Sequence, residues 1–186
     1  MRTLIAVAVL IVGVALLAAC STGNEAKSFM PEASELCCHS NWKILSIGQE
    51  REEGACPTWF EEEFGKPQAC WLRLYYNEKI RPGEPTDLTV HVAIMTSEPA
   101  AQLWLSSYAP TGGFDPSEYG PMRSPLVGDG ARAWDYSSEY GRGTEAAFYR
   151  ENVSVIVWVD EGTAEERQIM VESVDEAILD RLFGYR

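Results

Sequence analysis

Five cysteines, two histidines and 28 acidic side chains are the groups of this 186-residue sequence best suited to chemistry, and their spacing decides which chemistry. Cys37, Cys38 and His39, with Cys56 and Cys70, gather soft metal-ligand types into one region. No two-residue gap separates any pair of them, so the common zinc patterns are absent. The other use of four thiols is two disulfides. A bond between adjacent Cys37 and Cys38 would be badly strained, so each pairs with Cys56 or Cys70, in either order. A Cys38–His39 dyad is poor, because sequence neighbours rarely face each other. His91 falls on the more polar face of a strand, where an ordinary surface or hydrogen-bonded histidine is expected. Glu61-Glu62-Glu63 reads as a solvated helix face and Asp160-Glu161-Gly162 as a turn. There is no Gly-x-Ser-x-Gly, His-Glu-x-x-His, phosphate-binding loop, dinucleotide glycine pattern or calcium loop. No catalytic residue, metal ligand or cofactor is assigned from these patterns.

The compartment decides between metal and disulfide, and the first residues speak to it. Met1-Arg2 is basic, Leu4 to Leu17 is apolar apart from Gly13, and the run closes on Leu17-Ala18-Ala19-Cys20. The apolar stretch is short of the ~20 residues a membrane span needs, and no charged stop-transfer cluster follows. This ending resembles the lipobox of bacterial lipoproteins. The resemblance implies removal of residues 1–19, acylation of the Cys20 sulfur, and a chain held at the extracytoplasmic side of a membrane. Ser21 resembles the class sorted to the outer membrane, where the host has one. Two or three acyl chains, at about 0.8 kcal/mol per buried methylene, anchor far more firmly than one. Export also favours disulfides over a metal at Cys37, Cys38, Cys56 and Cys70.

Removing residues 1–19 leaves 167, enough for one well-buried core. The removed segment carries one of the 15 basic residues and none of the 28 acidic ones, so 14 stand against 28, a net charge of −14. Such a surface repels nucleic acid, which is not an expected partner.

Residues 20–33 are polar and without apolar periodicity, and read as a lipidated tether leading into a domain over 34–186. Strands are expected over Trp42 to Ile47, Cys70 to Tyr76 and Asp87 to Thr96, and again over Ala131 to Tyr136, Thr144 to Arg150 and Val153 to Val159. A short helix is expected near Thr58 to Phe64. Leu88, Val90, Val92 and Ile94 share one face of their strand, as do Val153, Val155, Val157 and Val159 of theirs. Ser97 caps a helix carrying Ala101, Trp104, Leu105 and Tyr108. Thr163 to Glu166 forms a capping box before a stripe of Met170, Val174, Ile178 and Leu182. The order predicts an α+β domain, an antiparallel sheet with helices packed on one face, built from two strand–strand–helix units of low mutual identity.

The segment from Pro110 to Pro125 is long for a connection. With Gly112, Gly113 and Gly120 to shape it, it offers Phe114 and Tyr119 as a candidate binding surface. The anchor, the single stapled domain and the missing catalytic patterns lead to a non-catalytic binding or interaction module of the cell envelope, its partner an envelope protein or small molecule. An envelope hydrolase using carboxylates or a metal is the alternative, favoured if acidic groups, or His39 and His91, meet in one cleft. A structural or sensory domain of an envelope complex is a third.

Overall fold

The computed structural model describes residues 25–36, 41–45, 53–54, 67–110, 115–139 and 141–184. The elements are β1 Trp42–Ile44, β2 Glu53–Gly54, β3 Ala69–Asn77, β4 Pro85–Ile94, α1 Glu98–Ser107, a 3₁₀ turn Pro116–Glu118, β5 Gly130–Ser138, β6 Gly141–Arg150, β7 Val153–Glu161 and α2 Ala164–Phe183. The expected helix near Thr58 lies outside the described residues. All strand pairs are antiparallel in one sheet of order β1-β3-β4-β7-β6-β5, with β2 also on β3. The fold is therefore α+β, as the alternation of apolar residues predicts. The first unit is β3-β4-α1, while the second has three strands, β5-β6-β7, before α2. Pairing of β7 with β4 joins the two units edge to edge into one sheet.

Helices cover both faces of the sheet, which corrects the expectation of one. The first face presents Val153, Val155, Val157 and Val159 of β7, Leu88, Val90 and Val92 of β4, and Tyr75 and Phe148, beneath Met170, Val171, Val174 and Ile178 of α2. The second face presents Ile156, Ala93, Trp134, Ala147 and Tyr149 beneath Ala101, Trp104 and Leu105 of α1. The reason lies in β7 itself. Its run Val-Ser-Val-Ile-Val-Trp-Val is apolar at both parities near its centre, as in a strand buried on both sides.

The helix signals hold. The Ser97 hydroxyl accepts from the Ala100 N–H, with Pro99 in the first turn. The Thr163 hydroxyl accepts from the Glu166 N–H, and Gly184, in the left-handed region at φ 66°, closes α2.

Residues 25–33 depart from the expected tether, and with 34–36 they pack on the sheet. Residues 25–28 are helical. Ala26, Met30 and Leu36 are buried, Ala26 against Ala69 and Ile94. The carbonyl of Pro31 accepts from Arg73 Nη1 at 2.9 Å and from the Tyr75 hydroxyl at 2.6 Å, and Glu35 pairs with Arg181 of α2. The segment covers the part of the first face over β3 that α2 leaves open. Residues 25–33 thus belong to the domain, while residues 20–24 lie outside the described part of the chain.

Candidate functional site

The antiparallel register places four residues in line across one end of the sheet. Tyr136 of β5 lies opposite Gly143 of β6, Gly143 opposite Asp160 of β7, and Asp160 opposite Asp87 of β4. Gly143 allows the row to close. A Cβ there would overlap the Tyr136 hydroxyl, so only glycine lets the phenol cross β6 and donate to the Asp160 carboxylate on the next strand. On the other side, Pro85 pairs with Glu161 and Asp87 with Asp160, so one residue, Thr86, is extra on β4. That bulge opens the ladder beside the carboxylates.

The result is a surface cleft of about 300 Å³ lined by Thr86, Asp87, Tyr136, Gly141, Arg142, Asp160 and Glu161. Glu161 sits in the left-handed region at φ 58°, followed by Gly162 at φ 77°. A non-glycine residue there is uncommon, and it turns the chain from β7 to α2 within one residue of the cleft. A Cβ on Gly162 would come within 2.8 Å of the Pro85 nitrogen, so this turn presses against the bulge. Arg142 Nε lies 3.6 Å from Glu161 Oε2, both groups well exposed, which makes the pair weak. Burial raises the Asp160 carboxyl above its ordinary value, and the like charges of Asp87 and Glu161 raise it further against the opposing hydrogen bond from Tyr136. Burial and the Asp160 charge push the Tyr136 phenol up in turn, so it stays a donor.

The next row inward on the same face is Trp134, Glu145, Trp158 and Thr89. Glu145 is fully buried and accepts from two phenols, Tyr108 at the end of α1 and Tyr119 at 2.9 Å. Tyr119 also bridges the Tyr136 backbone, and its ring lies edge-on to that of Tyr136 at 5.9 Å. The loop carrying Tyr119 is built rather than loose. Asp115 and Glu118 form a reciprocal capping box, and Arg123 makes a second bridge, to Ala133. Tyr119 is half-buried and supports the cleft through its contact with the lining residue Tyr136. Phe114 lies outside the described residues.

Behind the cleft, on the first face, buried Arg167 donates to Asp135 at 3.2 Å, to Thr144 at 2.8 Å and to the Gly162 carbonyl at 2.9 Å. Burial alone would raise the Asp135 carboxyl. The Thr144 hydrogen bond with the charges of Arg123 and Arg167 outweighs it and holds the group low. This network ties β5, β6 and the β7–α2 turn into one rigid wall.

His91 is on the second face as expected, yet it is buried rather than surface-lying, with its ring edge-on to Trp158 at 4.8 Å. Burial lowers its pKa to about 3. The row of Thr89 and Trp158 separates it from the carboxylate row. Cys70 is disulfide-bonded. Cys20, Cys37, Cys38, His39 and Cys56 lie outside the described residues. Among the described residues, no group of three or more His, Cys, Asp or Glu side chains is placed to hold a metal, and no helix is long and apolar enough to cross a membrane.

No protein-family model and no curated protein matches the chain. Among solved structures, it is similar to the extracellular domain of PknH from Mycobacterium tuberculosis, with a TM-score of 0.53 and 12% identity over 84% of this chain and 96% of that one. At that identity the likeness is one of fold.

Proposed function

We propose that this protein is an exported binding domain, held to a membrane through acylated Cys20, whose cleft takes a small cationic group such as an amine or guanidinium. The observation that carries the reading is the cross-strand pair Asp87 and Asp160, with Glu161 beside them, facing an open cleft in which Arg142 is the one cationic lining residue. Carboxylates fixed on adjacent strands are paid for in folding, so a cation that neutralises them gains without reordering the site. The Leu17-Ala18-Ala19-Cys20 sequence supports the anchor, and likeness to an extracellular domain supports the exported side. The bond at Cys70 supports an oxidising compartment, with Cys37, Cys38 and Cys56 supplying its partner and a second bridge.

Two measurements test the reading. Detergent-phase partitioning of the Cys20→Ala variant tests the anchor, and retention in the detergent phase would refute it. Calorimetric titration of the folded domain with spermidine and arginine amide tests the cleft. Binding with Kd below about 1 mM, lost on Asp87→Asn with Glu161→Gln, supports it. Equal binding by the double variant refutes it.

The convergence of Asp87, Asp160 and Glu161 also favours a second reading, an envelope hydrolase with Asp160 as the acid. A carboxyl raised by burial and set beside further carboxylates is the arrangement acid–base hydrolysis uses. Turnover of a glycoside or ester panel, abolished by Asp160→Asn, would select it over the binding reading.

A further inference from the structure

We infer that the end of the sheet at Ala69, Ile94 and Val153 rests against lipid headgroups, so that the acidic cleft opens away from the membrane. This inference rests on the proposed lipidation of Cys20. Its basis is where the chain enters the fold. Ala26 is fully buried against Ala69 and Ile94. Only four residues separate Cys20 from Glu25, a span of at most ~18 Å even when extended. The cleft lies at the opposite ends of the same strands. Asp87 and Ile94 are seven residues apart on β4, roughly 24 Å along the strand.

Beyond the cleft, the first turn of α2 adds Glu165 and Glu166 to Asp87, Asp160 and Glu161, while the β3–β4 turn balances Glu78 and Glu84 with Lys79 and Arg81. Anionic headgroups repel that end. The anchor end carries Leu126, fully exposed on the link whose next residues dock Val127 into the core and Asp129 onto the Tyr149 carbonyl. It also carries exposed Lys27, 5.0 Å from the centre of the Trp71 ring. An apolar side chain and a cation suit a headgroup layer; Lys27 stands over β3 where the anchor enters, and Leu126 lies at the β5–β6 side of the same end of the sheet.

The test uses the full chain, exported and purified with its acyl chains, in nanodiscs of phosphatidylethanolamine and phosphatidylglycerol containing a gadolinium-chelating lipid. Intact mass reports acylation separately from orientation, and an unmodified Cys20 would refute the anchor itself. With acylation confirmed, amide broadening by the lipid-borne gadolinium should be about tenfold stronger at Leu126, Glu151 and Asn152 than at Asp87, Gly141 and Glu161, given the roughly 24 Å between ends. Lys27→Glu with Leu126→Glu should at least halve that contrast. Equal broadening at both ends, stronger broadening at the cleft, or a contrast unmoved by the double variant would overturn the orientation.

Discussion

Replacing His91 with phenylalanine should remove a large part of the domain's acid lability. Burial holds the imidazole neutral, with its pKa moved from 6.5 to about 3. The folded-state pKa is the depressed one, so this contribution is fully present above pH 6.5 and is lost as pH falls toward 3. Each pH unit in that window costs about 1.4 kcal/mol, so moving from about pH 7 to about pH 4.5 costs about 2.7 kcal/mol through this one group. That is a substantial share of a domain stability of roughly 5–15 kcal/mol. Phenylalanine keeps an aromatic ring edge-on to Trp158 and does not titrate. The assay is urea unfolding of both proteins at several pH values across the window. Carboxylates titrate in both, so the difference between the two curves isolates His91. A difference that stays flat with pH would refute the assignment of acid lability to this buried imidazole.

Other substitutions test the cleft and its supports. Gly143→Ala should destabilise the domain by about 1–3 kcal/mol and abolish cation binding, because its Cβ overlaps the Tyr136 hydroxyl; thermal unfolding and calorimetry read both effects. Asp160→Asn should raise the melting temperature at neutral pH, since the raised folded-state pKa means that ionising Asp160 works against folding there. The gain should shrink as pH falls and vanish below 3.8, where the carboxyl is protonated in both states. Tyr119→Phe removes one of two phenolic donors to buried Glu145 and should cost about 1–3 kcal/mol in urea unfolding.

Much of this architecture is legible in the residue order. The alternating valines of β7 and the alternation in β4 announce half of each strand's packing, and Ser97 and Thr163 mark where the helices begin. The second covered face was also legible, since Ile156 and Trp158 occupy the parity that a solvated face would fill with polar residues. The packing of residues 25–36 was not. Ala26, Met30 and Leu36 show no period, and their burial depends on Arg73 and Tyr75, more than forty residues later, meeting the Pro31 carbonyl. The cleft was the least legible feature. Asp160-Glu161-Gly162 reads as a turn, whereas Asp160 and Glu161 close β7 and only Gly162 leaves it, and Asp87 and Tyr136 join them through pairings set by the whole sheet. One local signal existed, Gly143 inside a strand, which marks a close approach without saying of what. Tyr119 was singled out for an exposed role, and its hydroxyl instead reaches a buried carboxylate.

The most direct test of the account is a nitrogen-15 chemical-shift titration of the folded domain with spermidine. The account predicts saturable shifts at Thr86, Asp87, Gly141, Asp160 and Glu161, absent in the Asp87→Asn, Glu161→Gln variant. Shifts spread evenly over the acidic surface, or none at the cleft, would contradict it.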